Sequence, residues 1–107
     1  MTAKKITRGS GNVFADLGFT DAEELQTKAR LALAINMIIE ERGFTQAKAA
    51  SVLDAAQPKI SALARYKLEG FSVERLMTYL TALDRDVQIV IKKKPRSRAG
   101  RISVEAA

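Results

Sequence analysis

The chain has no cysteine and no histidine among its 107 residues. Structural zinc, thiol nucleophiles, haem ligation and imidazole acid/base chemistry therefore lack their usual side chains, so no cofactor, metal or catalytic residue is expected. The lack of cysteine also excludes disulfide staples and is compatible with a reducing compartment. No run of about 18 apolar residues exists that could span a bilayer, and no apolar signal-peptide core follows the basic N-terminal residues. The expectation is a soluble cytoplasmic protein with no membrane partner. Its length suits one domain, able to bury roughly two-thirds of its unfolded surface. The adjacent carboxylates Glu23-Glu24 and Glu40-Glu41 diverge by about 100° on a helix, which makes them solvated faces rather than acid/base dyads.

Charge is present but unevenly placed. The formal net charge is +6, of which residues 1–11 carry +3 and residues 92–107 carry +5, leaving the body at −2. Basic ends attract any polyanion. Within the body the signs separate again. Residues 12–44 sum to −3, whereas residues 45–68, with Lys48, Lys59, Arg65 and Lys67 against Asp54, sum to +3.

That positive stretch carries the clearest pattern in the chain. TQAKAASVLDAAQPKISAL, residues 45–63, reads as two short helices joined by a break, at helix-turn-helix spacing. Gln46 opens the first of them, Ala50 stands where the helices approach closely, and Val52 and Leu53 form its apolar end. Asp54-Ala55-Ala56 interrupts the periodicity. Gln57-Pro58 restarts it, with proline in the first turn, where its missing N–H leaves no bond unmade. Ile60 and Leu63, three apart, face the core. Two helices this short need a scaffold.

The rest of the chain supplies one. Residues 1–12 read as a disordered arm, and residues 13–19 form a short apolar patch, VFADLGF. Thr20 and Glu23 make a capping box that launches a long helix to about Arg42, with Leu25, Ala29, Leu31, Ala32, Leu33, Ile35, Ile38 and Ile39 as a broad apolar face and Gly43 as its left-handed stop. Thr45 caps the second helix, and Ala56 or Gln57 begins the third. Ser72 caps a fourth, on which Val73, Leu76, Met77, Leu80 and Leu83 recur at helical spacing. Val87, Gln88, Ile89, Val90 and Ile91 then read as a β-strand, about residues 86–92. A lone strand leaves its backbone unpaired, so it is expected to pair with the same strand of another copy across a two-fold axis, or else with the Val13-Phe14 segment. Residues 93–107 read as a disordered basic tail. The fold class expected is mostly α: a bundle of four to five helices with a helix-turn-helix at about 45–65, plus that strand pairing across a dimer.

Residues 10–91 resemble the small XRE-type, phage-repressor and Cro-like, helix-turn-helix regulators, and within them the subgroup that includes HigA-type antitoxins. The motifs are SGNVFADLGF at 10–19, ERGFTQAKAASVL at 41–53, QPKIS at 57–61, KLEGFS at 67–72 and LTALDRDVQIVI at 80–91. The resemblance implies a homodimeric regulator of transcription that binds double-stranded DNA at a palindromic operator. It also implies, as an alternative role, an antitoxin that neutralises an adjacent RelE-like toxin. Two positions depart from the pattern: Asp54 stands where relatives carry a turn glycine, and Ala62 where they often carry arginine.

On that reading the helix at 57–65 docks in the major groove. Gln57, Lys59 and Ser61 have side chains able to hydrogen-bond base edges, and Ala62 could touch a thymine methyl. Thr45 and Gln46 fall at the start of the preceding helix, near a phosphate. Arg65, Tyr66 and Lys67 can clamp the backbone at the far end, although Tyr66 serves equally well as a packing residue and Pro58 is read as a helix starter. One such helix spans a few base pairs only. Two half-sites, about 34 Å apart, are therefore required, which again calls for a dimer.

Overall fold

The computed structural model describes residues 21–106. Four helices account for its regular structure: α1 Asp21–Glu41, α2 Gln46–Leu53, α3 Gln57–Ala64 and α4 Val73–Ala82. The first places Asp21, Glu23 and Glu24 in its opening turn, where carboxylates complement the positive end of the helix dipole. Lys28 pairs with Glu24 one turn away at 3.4 Å. Thr27, buried, donates its hydroxyl to the Glu23 carbonyl at 3.0 Å. Leu31, Ala32, Ile35 and Ile38 form the buried stripe. Leu25 and Leu33, expected on the same apolar face, are exposed instead. Each lies off the stripe that meets the other helices, and a 100° step per residue leaves room for one such stripe only.

Gly43 ends α1 with φ 65°. Its N–H donates to the Glu40 carbonyl and that of Phe44 to Ile39, the paired closure that a left-handed residue permits. Thr45 then caps α2, its hydroxyl oxygen accepting the Lys48 N–H at 3.1 Å, and Ser72 caps α4 by accepting the Arg75 N–H at 3.0 Å. The possible capping partner of α1, Thr20, lies outside the described residues, as do the 1–12 arm and the 13–19 patch.

α1 packs against α4 and α3, while α2 packs against α3 and α4. Between them sit Ile35, Leu63, Leu76 and Leu83, all fully enclosed, with Leu53, Ile60, Leu68, Phe71 and Tyr79 around them. Phe71 and Tyr79 meet edge to face with ring centroids 6.2 Å apart. From α2 the fully buried alanine is Ala49; Ala50, expected at the close approach, is only partly buried. With α2 starting at Gln46, it is Ala49 that stands one turn before Leu53 on the same face. Arg42 ties the far ends of α1 and α4 together. Its Nη2 donates to the Leu83 carbonyl at 2.7 Å and lies 3.8 Å from Asp84 Oδ2, and its guanidinium sits 5.9 Å from the Phe44 ring centroid.

Beyond Asp84 the described chain carries neither helix nor strand. The expected strand over residues 87–91 is therefore absent from the single chain. The physical reason is that a strand is a property of a pair: without a second row of N–H and C=O groups the ladder cannot exist. Val87 packs partly against the core, and so does Val104 from the basic tail. Ile89, Val90 and Ile91 are 76%, 74% and 93% exposed.

Candidate nucleic-acid interface

The turn between α2 and α3 depends on Asp54. Its φ of 53° and ψ of 51° are left-handed, a conformation that aspartate tolerates better than most residues. The Asp54 N–H donates to the Ser51 carbonyl and that of Ala55 to Ala50. The missing turn glycine is thus replaced without losing the turn. Ala56 leads into α3 with extended geometry and no side-chain cap. Pro58 occupies the second position of α3, where no intrahelical N–H bond is forgone.

Ile60 and Leu63 turn inward, and Leu63 is wholly buried. That fixes where every other side chain of α3 points. Gln57 and Ser61, one turn apart, share a face; Gln57 is exposed and Ser61 partly so. Ala62 is partly buried. Lys59 does not join them. Two residues from both Gln57 and Ser61, it projects to the opposite flank of the helix, about 160° round. There its Nζ donates to the Gly70 carbonyl at 2.8 Å and lies 4.8 Å from the centroid of the Phe71 ring. Sequence spacing placed three hydrogen-bonding side chains on α3; the fold brings two of them together and engages the third with the α3–α4 turn.

At the other end of α3, Arg65, Tyr66 and Lys67 are all exposed. Arg65 Nε donates to the Ser61 carbonyl at 3.3 Å, which lays the guanidinium along the helix. From α1, Asn36 Nδ2 reaches the Leu63 carbonyl at 3.1 Å and so fixes the C-terminal end of α3 from behind. Thr45, Gln46 and Lys48 are exposed at the start of α2. A cleft lined by Asp54, Ala56, Lys59, Gly70 and Ser72 also includes Arg75, a cation that the sequence reading did not single out. Its only signal was position, three residues after the Ser72 cap. Among the described residues no group of His, Cys, Asp or Glu could hold a metal ion, and no helix is long and apolar enough to cross a membrane.

The geometry is that of two eight-residue helices linked by a left-handed turn, the second presenting its N-terminal face and a basic C-terminal end. A family model described as a helix-turn-helix domain matches residues 13–92. A solved structure named as an XRE-family transcriptional regulator is 66% identical, with a TM-score of 0.79, over 82% of this chain and the whole of that one. No curated protein matches. The chain belongs to the XRE family of helix-turn-helix regulators. As a member of that family it is a DNA-binding transcriptional regulator, and the matched span takes in all four helices as well as the exposed residues 89–91. Within the regulator, α2 and α3 are the helix-turn-helix pair, and α1 with α4 forms the support behind them.

Proposed function

We propose that this XRE regulator is a homodimeric, sequence-specific repressor of its own operon, cytoplasmic and nucleoid-associated when bound. It reads a palindromic operator with α3 in the major groove. The observation that carries the reading is the shared, accessible face of Gln57 and Ser61 at the start of a helix whose other face is locked by Ile60 and Leu63. Gln57 hydrogen-bonds an adenine edge, Ser61 either partner of a base pair, and the Ala62 methyl group lies against thymine. Thr45, Gln46, Arg65, Tyr66 and Lys67 hold phosphates on either side of the groove. Lys59 adds positive charge near the groove. The dimer forms through residues 87–91: three exposed β-branched side chains and an unpaired backbone are what isologous strand pairing requires.

The test is Gln57→Ala together with Ser61→Ala, assayed on a duplex that the unmutated protein selects from a random-sequence pool. Each lost base contact costs about 1–3 kcal/mol, so the double variant is expected to lose affinity for that duplex while keeping its affinity for unrelated DNA. Unchanged affinity for the selected duplex would show that α3 is not the reader. Sedimentation as a monomer at micromolar concentration would count against the dimer.

A second role is supported by α1. Leu25, Leu33 and Met37 stand exposed on its outer side, and the helix begins with three carboxylates. Such a surface suits a basic protein partner, in keeping with an antitoxin that neutralises a RelE-like toxin, DNA binding then being its autoregulatory activity. Co-expression with the product of the adjacent reading frame tests it: an adjacent product that is not a small basic protein, or one that fails to co-purify, removes the case.

A further inference from the structure

All four helices are followed closely by a residue in the left-handed region, and the four residues are unlike. They are Gly43 with φ 65°, Asp54 with φ 53°, Tyr66 with φ 58° and Asp84 with φ 65°. Glycine adopts this conformation freely and aspartate tolerates it, whereas a bulky aromatic residue there is strained. The backbone at Tyr66 is not negotiable. Its N–H donates to the Leu63 carbonyl at 3.1 Å, the next N–H, of Lys67, donates to Ala62 at 2.9 Å, and Asn36 holds the same Leu63 carbonyl from α1. Those bonds demand the left-handed turn; they do not demand tyrosine.

Nor do the neighbouring side chains explain the choice. The other tyrosine of the chain, Tyr79, is buried with its ring against Phe71. Tyr66 is 45% exposed, and neither its ring nor its hydroxyl has a ring or hydrogen-bond partner among the described residues. A strained conformation held by an exposed, unpartnered side chain points to use outside the fold. The surroundings specify the ligand: exposed Arg65 and Lys67 flank the tyrosine and offset the negative end of the α3 dipole, which favours an anion.

We propose that Tyr66 is retained at the end of α3, at the expense of fold stability, to donate its hydroxyl to a DNA phosphate. This rests on the DNA-binding reading above and deepens it. Arg65 and Lys67 contribute charge, whereas Tyr66 contributes a neutral, directional donor on a stiff side chain. It therefore sets the angle at which α3 enters the groove without releasing a counterion of its own.

The test compares Tyr66→Phe, Tyr66→Asn and Lys67→Ala with the unmutated protein on the duplex it selects from a random-sequence pool. Tyr66→Phe is expected to melt at the parental temperature and to lose about tenfold in affinity, the effect of removing a hydrogen bond to a charged acceptor, with an unchanged dependence on salt. Tyr66→Asn, better suited to the left-handed turn, is expected to melt at or above the parental temperature and to lose affinity at least as far. Lys67→Ala should flatten the salt dependence. Parental affinity in Tyr66→Phe overturns the proposal, as does a melting temperature several degrees lower in Tyr66→Asn, since the ring would then be serving the fold. If the unmutated protein selects no duplex, the regulator reading fails and this inference falls with it; tight parental binding beside an indifferent Tyr66→Phe sinks this inference alone.

Discussion

The α1–α4 half of the molecule and the α2–α3 half are stabilised in different ways. α1 runs for 21 residues and α4 for 10, their apolar stripes face each other, and Arg42 bolts their ends together through the Leu83 carbonyl and Asp84. By contrast, α2 and α3 have eight residues each, well below the length at which an isolated helix is stable in water. Three tertiary attachments hold α3: the burial of Ile60 and Leu63, the Asn36 amide at its C-terminal end, and the Lys59 ammonium at its N-terminal end. The DNA-reading helix thus borrows its order from the scaffold. Severing the attachments one at a time shows how much of that order each supplies.

The largest effect belongs to Leu63, which is wholly enclosed. Leu63→Ala removes buried methyl groups and leaves a cavity, a loss of about 2–5 kcal/mol. Because stabilities of this size are a large part of a small domain's total, urea denaturation is expected to show a sharply lowered midpoint for the whole domain, and DNA binding should fall with it. A variant that keeps its urea midpoint while losing DNA binding would mean that α3 melts separately from the scaffold.

The next attachment is polar. Asn36→Ala takes away a partly buried amide-to-carbonyl bond worth about 1 kcal/mol, and it touches no surface of α3 that faces outward. Leu63 O keeps the Tyr66 N–H as a donor, so the carbonyl is not orphaned. The expected outcome is a modest fall in melting temperature, with faster amide hydrogen exchange at residues 63–67 than in α1. Equal acceleration along both helices would show that Asn36 supports the fold at large and not the end of α3.

How far these features were legible follows from the range over which each is decided. The two short helices, the proline start and the inward pair Ile60 and Leu63 are set by local spacing, and they stand where periodicity put them. Asp54 was readable as a left-handed turn residue because its own chemistry allows it. Ala49 was missed in favour of Ala50 because a one-residue error in the start of a helix rotates every position by 100°. The flank taken by Lys59 could have been read from helical phase, but its capture by Gly70, eleven positions away in the chain, could not. Tyr66 was invisible as a turn residue because local rules expect glycine or asparagine there. The strand at 87–91 was read from residue type alone, whereas a ladder also needs a second chain or segment.

The smallest effect expected is also the most discriminating for the site. Lys59 is exposed, so its bond to the Gly70 carbonyl and its position over Phe71 together contribute under about 1 kcal/mol. As a staple between α3 and the α3–α4 turn it orients the reading face without being part of it. Lys59→Met keeps an apolar stem over Phe71 and removes the donor. A small drop in melting temperature is expected, with an equal loss of affinity for the selected duplex and for versions of it carrying single base changes. Gly70→Ala reaches the same contact from the other side: a Cβ there would come within 2.9 Å of Lys59 Nζ and would displace that flexible end. If the staple is the shared target, the losses of stability in Lys59→Met and Gly70→Ala will not add in the double variant. If Lys59 instead reads a base, Lys59→Met will lose affinity in a way that depends on one base pair, and Gly70→Ala will leave that preference intact.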